Sequence, residues 1–416
     1  MERQTIAQRK GPPTIADGDR TAAEIVFDRA TKTYPGQKRP AVNELSLTIG
    51  AGEICMLVGP SGGGKTTALK MINRLIDFEG GDITIDGQSV RGLDVTELRR
   101  GIGYVIQQIG LFPHMTVAAN IGTVPRLMGW DKERIRARAH ELIELVGLDP
   151  DVDGKRYPAQ LSGGQRQRIG LARALAADPP VMLMDEPFGA LDPITRDRLQ
   201  QEFLALQARI RKTVVFVTHD IDEAIKMADR IAILREGGVL AQYDAPDRIL
   251  AEPVDEFVAE FVGADRGLKR LSLRRLRDIE PIEAPAAKPG DNAQAARARV
   301  QRAGFATLVV TDDAGHPIGM LPVHRLAVER VPGEGLQPVE AVGTPDMPLR
   351  DALSLMLSQT GSHLVVVDED GRLAGLVSAD LISEALAAGA RDAQGATANA
   401  VRDEAVEPAR EPERTG

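Results

Sequence analysis

Ile54-Cys-Met-Leu-Val58-Gly59-Pro60-Ser61-Gly62-Gly63-Gly64-Lys65-Thr66-Thr67 is the stretch on which the reading of this chain turns. Five apolar residues predict a short buried strand, and a glycine-rich turn then leads into a helix predicted from Lys65 to about Leu75. Small residues let the backbone curl until successive N–H groups point inward, and the helix N-terminus adds its partial positive charge. The pattern therefore predicts a phosphate-binding loop rather than a merely flexible turn. In such a loop Lys65 reaches the β- and γ-phosphates of a nucleotide, and the Thr66 hydroxyl serves Mg²⁺.

On either side of the loop, residues 24–262 alternate short β-rich runs with longer helical patterns, the order of an α/β domain with a parallel sheet. Besides 54–58, strands are predicted at 103–106, 181–184, 213–218 and 230–234, and those rich in Val, Ile and Leu read as buried. Helical patterns at 116–128 and 131–146 mark a helical subdomain over about residues 110–175. Val181-Met-Leu-Met-Asp185-Glu186 is an apolar strand ending in two carboxylates. Adjacent side chains on a strand point in opposite directions, so two roles are expected, Asp185 in the Mg²⁺ shell and Glu186 as general base on an attacking water. Leu161-Ser162-Gly163-Gly164-Gln165 opens another helix, to about Ala177, and taken alone reads as a serine N-cap followed by two glycines.

In this order, the phosphate loop, the Ser162-to-Gln165 turn and the Asp185-Glu186 pair resemble the ATP-binding-cassette (ABC) ATPases over residues 24–262. The resemblance implies a P-loop NTPase fold, with a RecA-like core plus a helical subdomain, and ATP and Mg²⁺ as cofactors. Tyr34, in Thr33-Tyr34-Pro35-Gly36, matches the aromatic that stacks on adenine, and Gln107 the loop glutamine that senses Mg²⁺ and the attacking water. Asp192, in Gly189-Ala-Leu-Asp192, matches the loop that crosses between two cassettes, and His219 the switch histidine at the γ-phosphate. A second copy of the chain is also implied, because ATP on the phosphate loop of one cassette is covered by Ser162 and Gly164 of the other. With Glu186 and the Ser162 turn intact, a homodimer would hold two competent sites that close on ATP and open after hydrolysis.

One phosphate loop, no long coiled-coil insertion and no membrane helices make the chain resemble the energy subunit of a bacterial importer. Such a subunit docks on an integral-membrane permease near Gln107, with a substrate-binding protein as indirect partner. Lys70-Met-Ile-Asn-Arg-Leu-Ile76, Gly103-Tyr-Val-Ile-Gln-Gln-Ile-Gly-Leu-Phe-Pro-His114 and Ala177-Asp-Pro-Pro-Val-Met-Leu-Met-Asp-Glu-Pro-Phe-Gly-Ala-Leu-Asp-Pro193 look like the ATPases of quaternary-amine importers. Those take up glycine betaine, carnitine, choline or proline betaine as osmoprotectants. Two alternatives stay open: an importer ATPase for another small amine or amino acid, and a regulatory protein that uses the cassette as a slow nucleotide switch.

Residues 264–277 crowd Arg266, Lys269, Arg270, Arg274, Arg275 and Arg277 among four leucines, a basic amphipathic connector that either packs as an ordinary helix or meets anionic lipid. Beyond it, Ala303-Gly-Phe-Ala-Thr-Leu-Val-Val-Thr-Asp-Asp-Ala-Gly-His-Pro-Ile-Gly319 aligns on Thr360-Gly-Ser-His-Leu-Val-Val-Val-Asp-Glu-Asp-Gly-Arg-Leu-Ala-Gly375. Each copy predicts a strand, an acidic turn, a second strand and then a helix, and two such units pack together because neither buries its apolar face alone. The pair resembles tandem cystathionine-β-synthase (CBS) domains, an α+β module that is regulatory in its family. Ser378 and Asp380 fall where nucleotide-binding members hold a ribose, whereas the first copy has His324 in the matching place. A nucleotide at the CBS pair and a structural or ionic-strength-sensing pair both remain open.

Composition sets the outer bounds. At roughly 100–200 residues per domain, 416 residues imply more than one domain, and 43% hydrophobic with 27% charged residues excludes wholesale disorder. A formal net charge of −9 argues against a general nucleic-acid binder. A lone cysteine, Cys55, forms neither an intramolecular disulfide nor a Cys-based zinc site and is expected in the core. No run approaches the roughly 18–20 apolar residues of a membrane span, and the polar start lacks a signal-peptide pattern. A peripheral place on the cytoplasmic face of the inner membrane is therefore expected. The predicted organisation is a disordered segment 1–22, the cassette 23–263, the connector 264–277, CBS-like repeats 278–332 and 333–390, and a disordered tail 391–416.

Overall fold

The computed structural model describes residues 22–106, 110–189, 191–358 and 363–386. The segments expected to be disordered, 1–22 but for its last residue and 391–416, lie outside the described residues. The chain divides into two compact units, 1–220 with 227–243, and 221–226 with 244–416.

Strands β1 (Ile25–Lys32), β2 (Val42–Ile49), β3 (Ile54–Val58), β4 (Gly80–Ile85), β5 (Gln88–Ser89), β6 (Ile102–Val105), β7 (Val181–Asp185), β8 (Thr213–Val217), β9 (Arg230–Arg235) and β10 (Val239–Asp244) run through the first unit. They form a six-stranded sheet in the order β10-β9-β3-β8-β7-β6, in which β9, β3, β8, β7 and β6 pair in parallel, and a four-stranded antiparallel sheet in the order β2-β1-β4-β5. Every residue of β3, β7 and β8 is buried, as a parallel strand covered on both faces requires. The apolar runs predict the parallel sheet; the antiparallel sheet is additional. Its strand β1 carries Asp28, Arg29 and Lys32 and loses register between Phe27 and Ala30 and again before Lys32, so its alternation is broken. One apolar core joins the two sheets through Phe27, Leu45, Ile83 and Leu57, with Leu69 and Ile72 of the helix Lys65–Ile72 between them. Cys55 lies in this core, and burial pushes its thiol pKa up to about 12.

Helices Val117–Ile121, Thr123–Leu127, Lys132–Leu145 and Gly163–Leu175 occupy the region predicted to be helical. The single helix expected over 116–128 is two short ones meeting at Gly122.

The second unit contains two three-stranded sheets of one design. Strands β11 (Ala286–Ala287), β12 (Thr307–Thr311) and β13 (Pro317–Pro322) form the first; β14 (Val342–Gly343), β15 (His363–Val367) and β16 (Leu373–Ser378) form the second. In each, the short strand pairs in parallel and the last two in antiparallel fashion, and the offsets are identical: Thr307 opposes Pro322 as His363 opposes Ser378. The copies pack through Val309, Val365 and Leu376. After β16 residues 379–386 are helical, as expected, but after β13 there is only the single 3₁₀ turn Val323–Arg325, and Pro332, Gly333 and Gly335 in the following loop oppose a helix.

The basic segment forms the helix Arg266–Leu273 within this unit, and Leu271 and Leu276 enter the core of the second copy. Arg270 pairs with Asp247 at 3.0 Å, Lys269 with Asp222 at 3.1 Å and Asp265 at 3.2 Å, and Arg277 with Asp346 at 2.9 Å. Of the two readings of this segment, the packed helix is the one these contacts favour.

Candidate functional site

Gly59, Gly62 and Gly64 adopt φ of 148°, 82° and 72°. A Cβ at Gly59 would lie 2.2 Å from the Leu234 carbonyl oxygen, and one at Gly64 2.1 Å from that of Ala41, so the loop closes only with glycine there. Pro60 accepts from the Gly63 N–H at 3.1 Å, while Ser61 stays exposed at the loop's tip. Lys65 is buried, and its Nζ donates to the carbonyls of Gly59 at 2.7 Å and Pro60 at 2.8 Å. Burial lowers its pKa, opposed by the carboxylates of Glu186 and Asp185.

Thr66 Oγ1 donates to Asp185 Oδ1 at 3.0 Å across the end of β7. Burial raises the Asp185 pKa, against the Thr66 hydrogen bond and the charge of Lys70. Lys70 lies one turn beyond Thr66 on the same helix face; the i, i+4 spacing was the signal for it, and reading the motif alone passes it over. The Tyr34 hydroxyl shares a hydrogen bond with Thr67 Oγ1 at 3.3 Å, which ties the aromatic ring to the loop.

Glu186, the next residue after Asp185, turns away from it. Its φ is 44°, in the left-handed region, and its N–H donates to the Val217 carbonyl at 3.0 Å. His219 Nδ1 then lies 3.1 Å from Glu186 Oε1. Asp185 thus faces Thr66, and Glu186 faces His219.

Two further groups begin other helices. Ser162 caps the helix Gly163–Leu175, accepting from Gln165 N–H at 3.2 Å while the Gln165 Oε1 accepts from Ser162 N–H at 3.0 Å. Asp192 caps the helix Pro193–Ile210 by accepting from Thr195 N–H at 3.0 Å, and that bond holds its carboxyl below the usual range. A Cβ at Gly164 would lie 3.5 Å from Thr195 Cγ2, so the two helix starts adjoin, whereas Gly163 faces open space. These bonds stay within their own turns and do not reach the Lys65 cluster. Gln107 lies outside the described residues.

Among the described residues no three His, Cys, Asp or Glu side chains are grouped to cage a metal. The Thr66 hydroxyl and Asp185 carboxylate are the oxygen pair that suits Mg²⁺, an ion that keeps water and phosphate oxygens for its remaining positions. No helix among the described residues is long and apolar enough to cross a membrane.

The ABC transporter family model matches residues 42–189, and the CBS domain model matches residues 344–388, within the second copy. The osmoprotectant import ATP-binding protein OsmV of Salmonella typhimurium is 47% identical over 372 residues, spanning 88% of this chain and 97% of that protein. The choline transport ATP-binding protein OpuBA of Bacillus subtilis is 46% identical over 368 residues, spanning 85% and 94%. Among solved structures, cbiO1 from Clostridium perfringens, part of the ABC transporter complex cbiONQ, superposes with a TM-score of 0.52 at 23% identity, covering 60% of this chain and 94% of that one, a likeness of fold.

Proposed function

Because this chain belongs to the ATP-binding subunits of quaternary-amine ABC importers with C-terminal CBS domains, we propose that it drives uptake of glycine betaine, choline, carnitine or proline betaine through membrane permease subunits. It is an ATP-hydrolysing subunit with ATP and Mg²⁺ as cofactors. Its place is the cytoplasmic face of the membrane, as a homodimer on the permease, with a substrate-binding protein beyond. In this reading residues 23–263 are the cassette and 278–332 with 333–390 the CBS pair.

Bound Mg-ATP supplies the phosphoanhydride and the cation that neutralises its charge. Lys65 exchanges its two carbonyl acceptors for phosphate oxygens, and the N–H groups from Gly59 to Thr67 surround them. Thr66 and Asp185 would hold Mg²⁺ through the two oxygens that share a hydrogen bond here, and Gln107 would be the further residue that senses the ion. Glu186 takes the proton of the attacking water, and His219 holds the Glu186 carboxylate in place from its other side. Tyr34 presents its ring to the base. Ser162, Gly163, Gly164 and Gln165 of the second copy close over the nucleotide, and Asp192 crosses at the same seam.

The observation that carries this reading is the divergence of Asp185 toward Thr66 and Glu186 toward His219, which gives a metal side and a water side on one strand end. The test is uptake of labelled glycine betaine and choline, at low and raised osmolarity, in source cells with and without the chain. Loss on deletion, rescue by the wild type and no rescue by Glu186→Gln are expected; turnover in the variant should fall by about 10²–10⁴-fold. Uptake that survives deletion where no other such transporter operates removes the substrate assignment.

A further inference from the structure

The helix Gly163–Leu175 starts at Ser162, and its far end lies against the sheet, where a Cβ on Gly103 of β6 would come 2.7 Å from the Ala174 carbonyl oxygen. Arg173, the neighbour of Ala174, is half-buried and donates from Nη1 to the Gly110 carbonyl at 2.6 Å. Burial lowers its pKa, so this guanidinium has given up water where it makes that contact. Gly110 stands three residues after Gln107, at φ 58°, and a Cβ there would lie 2.7 Å from Ile106 Cδ1 and 3.6 Å from Arg173 Nη2. Ile106 and Gly110, which flank 107–109, therefore lie against each other, and Arg173 sits where they meet. Two residues further on, Phe112 is held by Asn120, which accepts its N–H at 2.8 Å and donates to its carbonyl at 3.1 Å. Arg173 joins this run to the helix that Ser162 caps.

We propose that Arg173 is a positioning residue that fastens the chain beside Gln107 to the helix capped by Ser162, so that the setting of Gln107 follows that helix. The bonds between Ser162 and Gln165 stay within their own turn and tell the Lys65 cluster nothing of what the turn meets. A rigid helix with a charged donor at its other end does. At 13 residues the helix is about 20 Å long, and a displacement of its Ser162 end turns the end that carries Arg173, which takes the Gly110 carbonyl with it. The planar guanidinium fixes the direction of that bond, and a lysine ammonium supplies the charge without the direction. That Gln107 is the residue so moved, and that it senses Mg²⁺, rests on the role proposed above; the fastening of Gly110 by Arg173 does not.

The full-length chain with Arg173→Met and with Arg173→Lys tests this by two readouts. By amide hydrogen exchange, residues 110–112 should exchange about tenfold faster in Arg173→Met than in the wild type, with 164–172 unchanged and part of the protection regained in Arg173→Lys. By turnover at saturating ATP, Arg173→Met should need about tenfold more Mg²⁺ for half its maximal rate while the KM for ATP stays within about twofold, and adding it to Gln107→Ala should cost nothing further. Gly110→Ala moves the acceptor instead of removing the donor; it should give the same Mg²⁺ shift and serves if Arg173→Met fails to fold. Unchanged exchange at 110–112, or exchange that rises equally over 164–172, overturns the proposal. So does a wild-type Mg²⁺ requirement, or losses that multiply in the double variant, in a chain whose turnover falls in Gln107→Ala. Faster exchange at 110–112 with turnover indifferent to Gln107→Ala upholds the fastening and counts instead against the role given to Gln107.

Discussion

Asn120 holds the segment that follows Gln107, and replacing it tests how. The side chain is fully buried and makes four hydrogen bonds: Oδ1 accepts from Phe112 N–H at 2.8 Å, and Nδ2 donates to the carbonyls of Phe112 and Met115 at 3.1 Å each and Thr116 at 3.0 Å. Two amide hydrogens serve three carbonyls, so one bond is shared and weak. At about 1 kcal/mol net per bond, Asn120→Ala is expected to cost about 3–4 kcal/mol. With an m value of about 2–3 kcal/mol/M the urea midpoint should fall by about 1–2 M. Trp130, the chain's one tryptophan, follows the helix Thr123–Leu127 and stacks on Arg134 at 3.6 Å, so its fluorescence reports on this subdomain. Asn120→Asp keeps the shape but sets a carboxyl oxygen against three carbonyls in a dry site, which raises its folded pKa above the unfolded value of about 3.9. A raised folded pKa means that stability present at acid pH is lost as pH rises through it, so this variant should lie closest to the wild type at low pH and fall away toward neutrality. An alanine variant within about 1 kcal/mol of the wild type, or an aspartate variant whose deficit does not grow with pH, would refute the reasoning.

Three further outcomes follow from the site and from the CBS pair. Burial raises the Asp185 pKa, so its contribution to the nucleotide-free fold is favourable below its unfolded value and lost as pH rises through the folded one. Asp185→Asn should raise the thermal midpoint without nucleotide at neutral pH and abolish the further rise given by Mg-ATP; a lower midpoint in the nucleotide-free chain contradicts this. Gly64→Ala drives a Cβ to 2.1 Å from the Ala41 carbonyl at φ 72° and should weaken ATP binding at least about tenfold, whereas Gly92→Ala, with nothing within 4 Å, should not; equal affinities by equilibrium dialysis refute the steric account. His316 places Nδ1 3.0 Å from Asp312 Oδ2 and Nε2 3.2 Å from the Asp370 carbonyl, two atoms that only accept, so the imidazolium satisfies both. Its pKa is raised above 6.5 by Asp312, whose own is lowered below 3.8, with Arg372 opposing. The clasp is present below His316's unfolded value, fades as pH rises through the raised one, and fades again as pH falls through that of Asp312. An NMR titration of His316 should show a midpoint above 6.5 that drops in Asp312→Asn, and an unmoved midpoint excludes the pair.

The strand Ile54–Val58 was legible residue for residue because all five side chains are buried and apolar, whereas β9 was legible from its four buried apolar residues, Ile231 to Leu234, and ends one residue later than expected, on Arg235. β1 was not, since its register shifts place charged residues where an alternating pattern calls for apolar ones. β6 begins at Ile102 rather than 103 because a boundary depends on pairing with Val181, which the local pattern does not record. In the site, the motif supplied the names of Lys65, Thr66, Asp185, Glu186 and His219, and spacing on a strand supplied the expectation that the carboxylates diverge. The left-handed turn that aims Glu186 was illegible, because a carbonyl of β8, remote in sequence, holds it.

The helix behind the phosphate loop has Ala68, Leu69, Met71 and Ile72 at zero exposure in the core shared by both sheets. Its amides can exchange with solvent only when that core opens, so they belong among the slowest in the cassette. A loop mounted on the least yielding part of a molecule cannot absorb the arrival of a nucleotide by reshaping itself. Whatever work binding performs is delivered elsewhere, to the elements with less buried footing, and the phosphate loop acts as the fixed end against which they move.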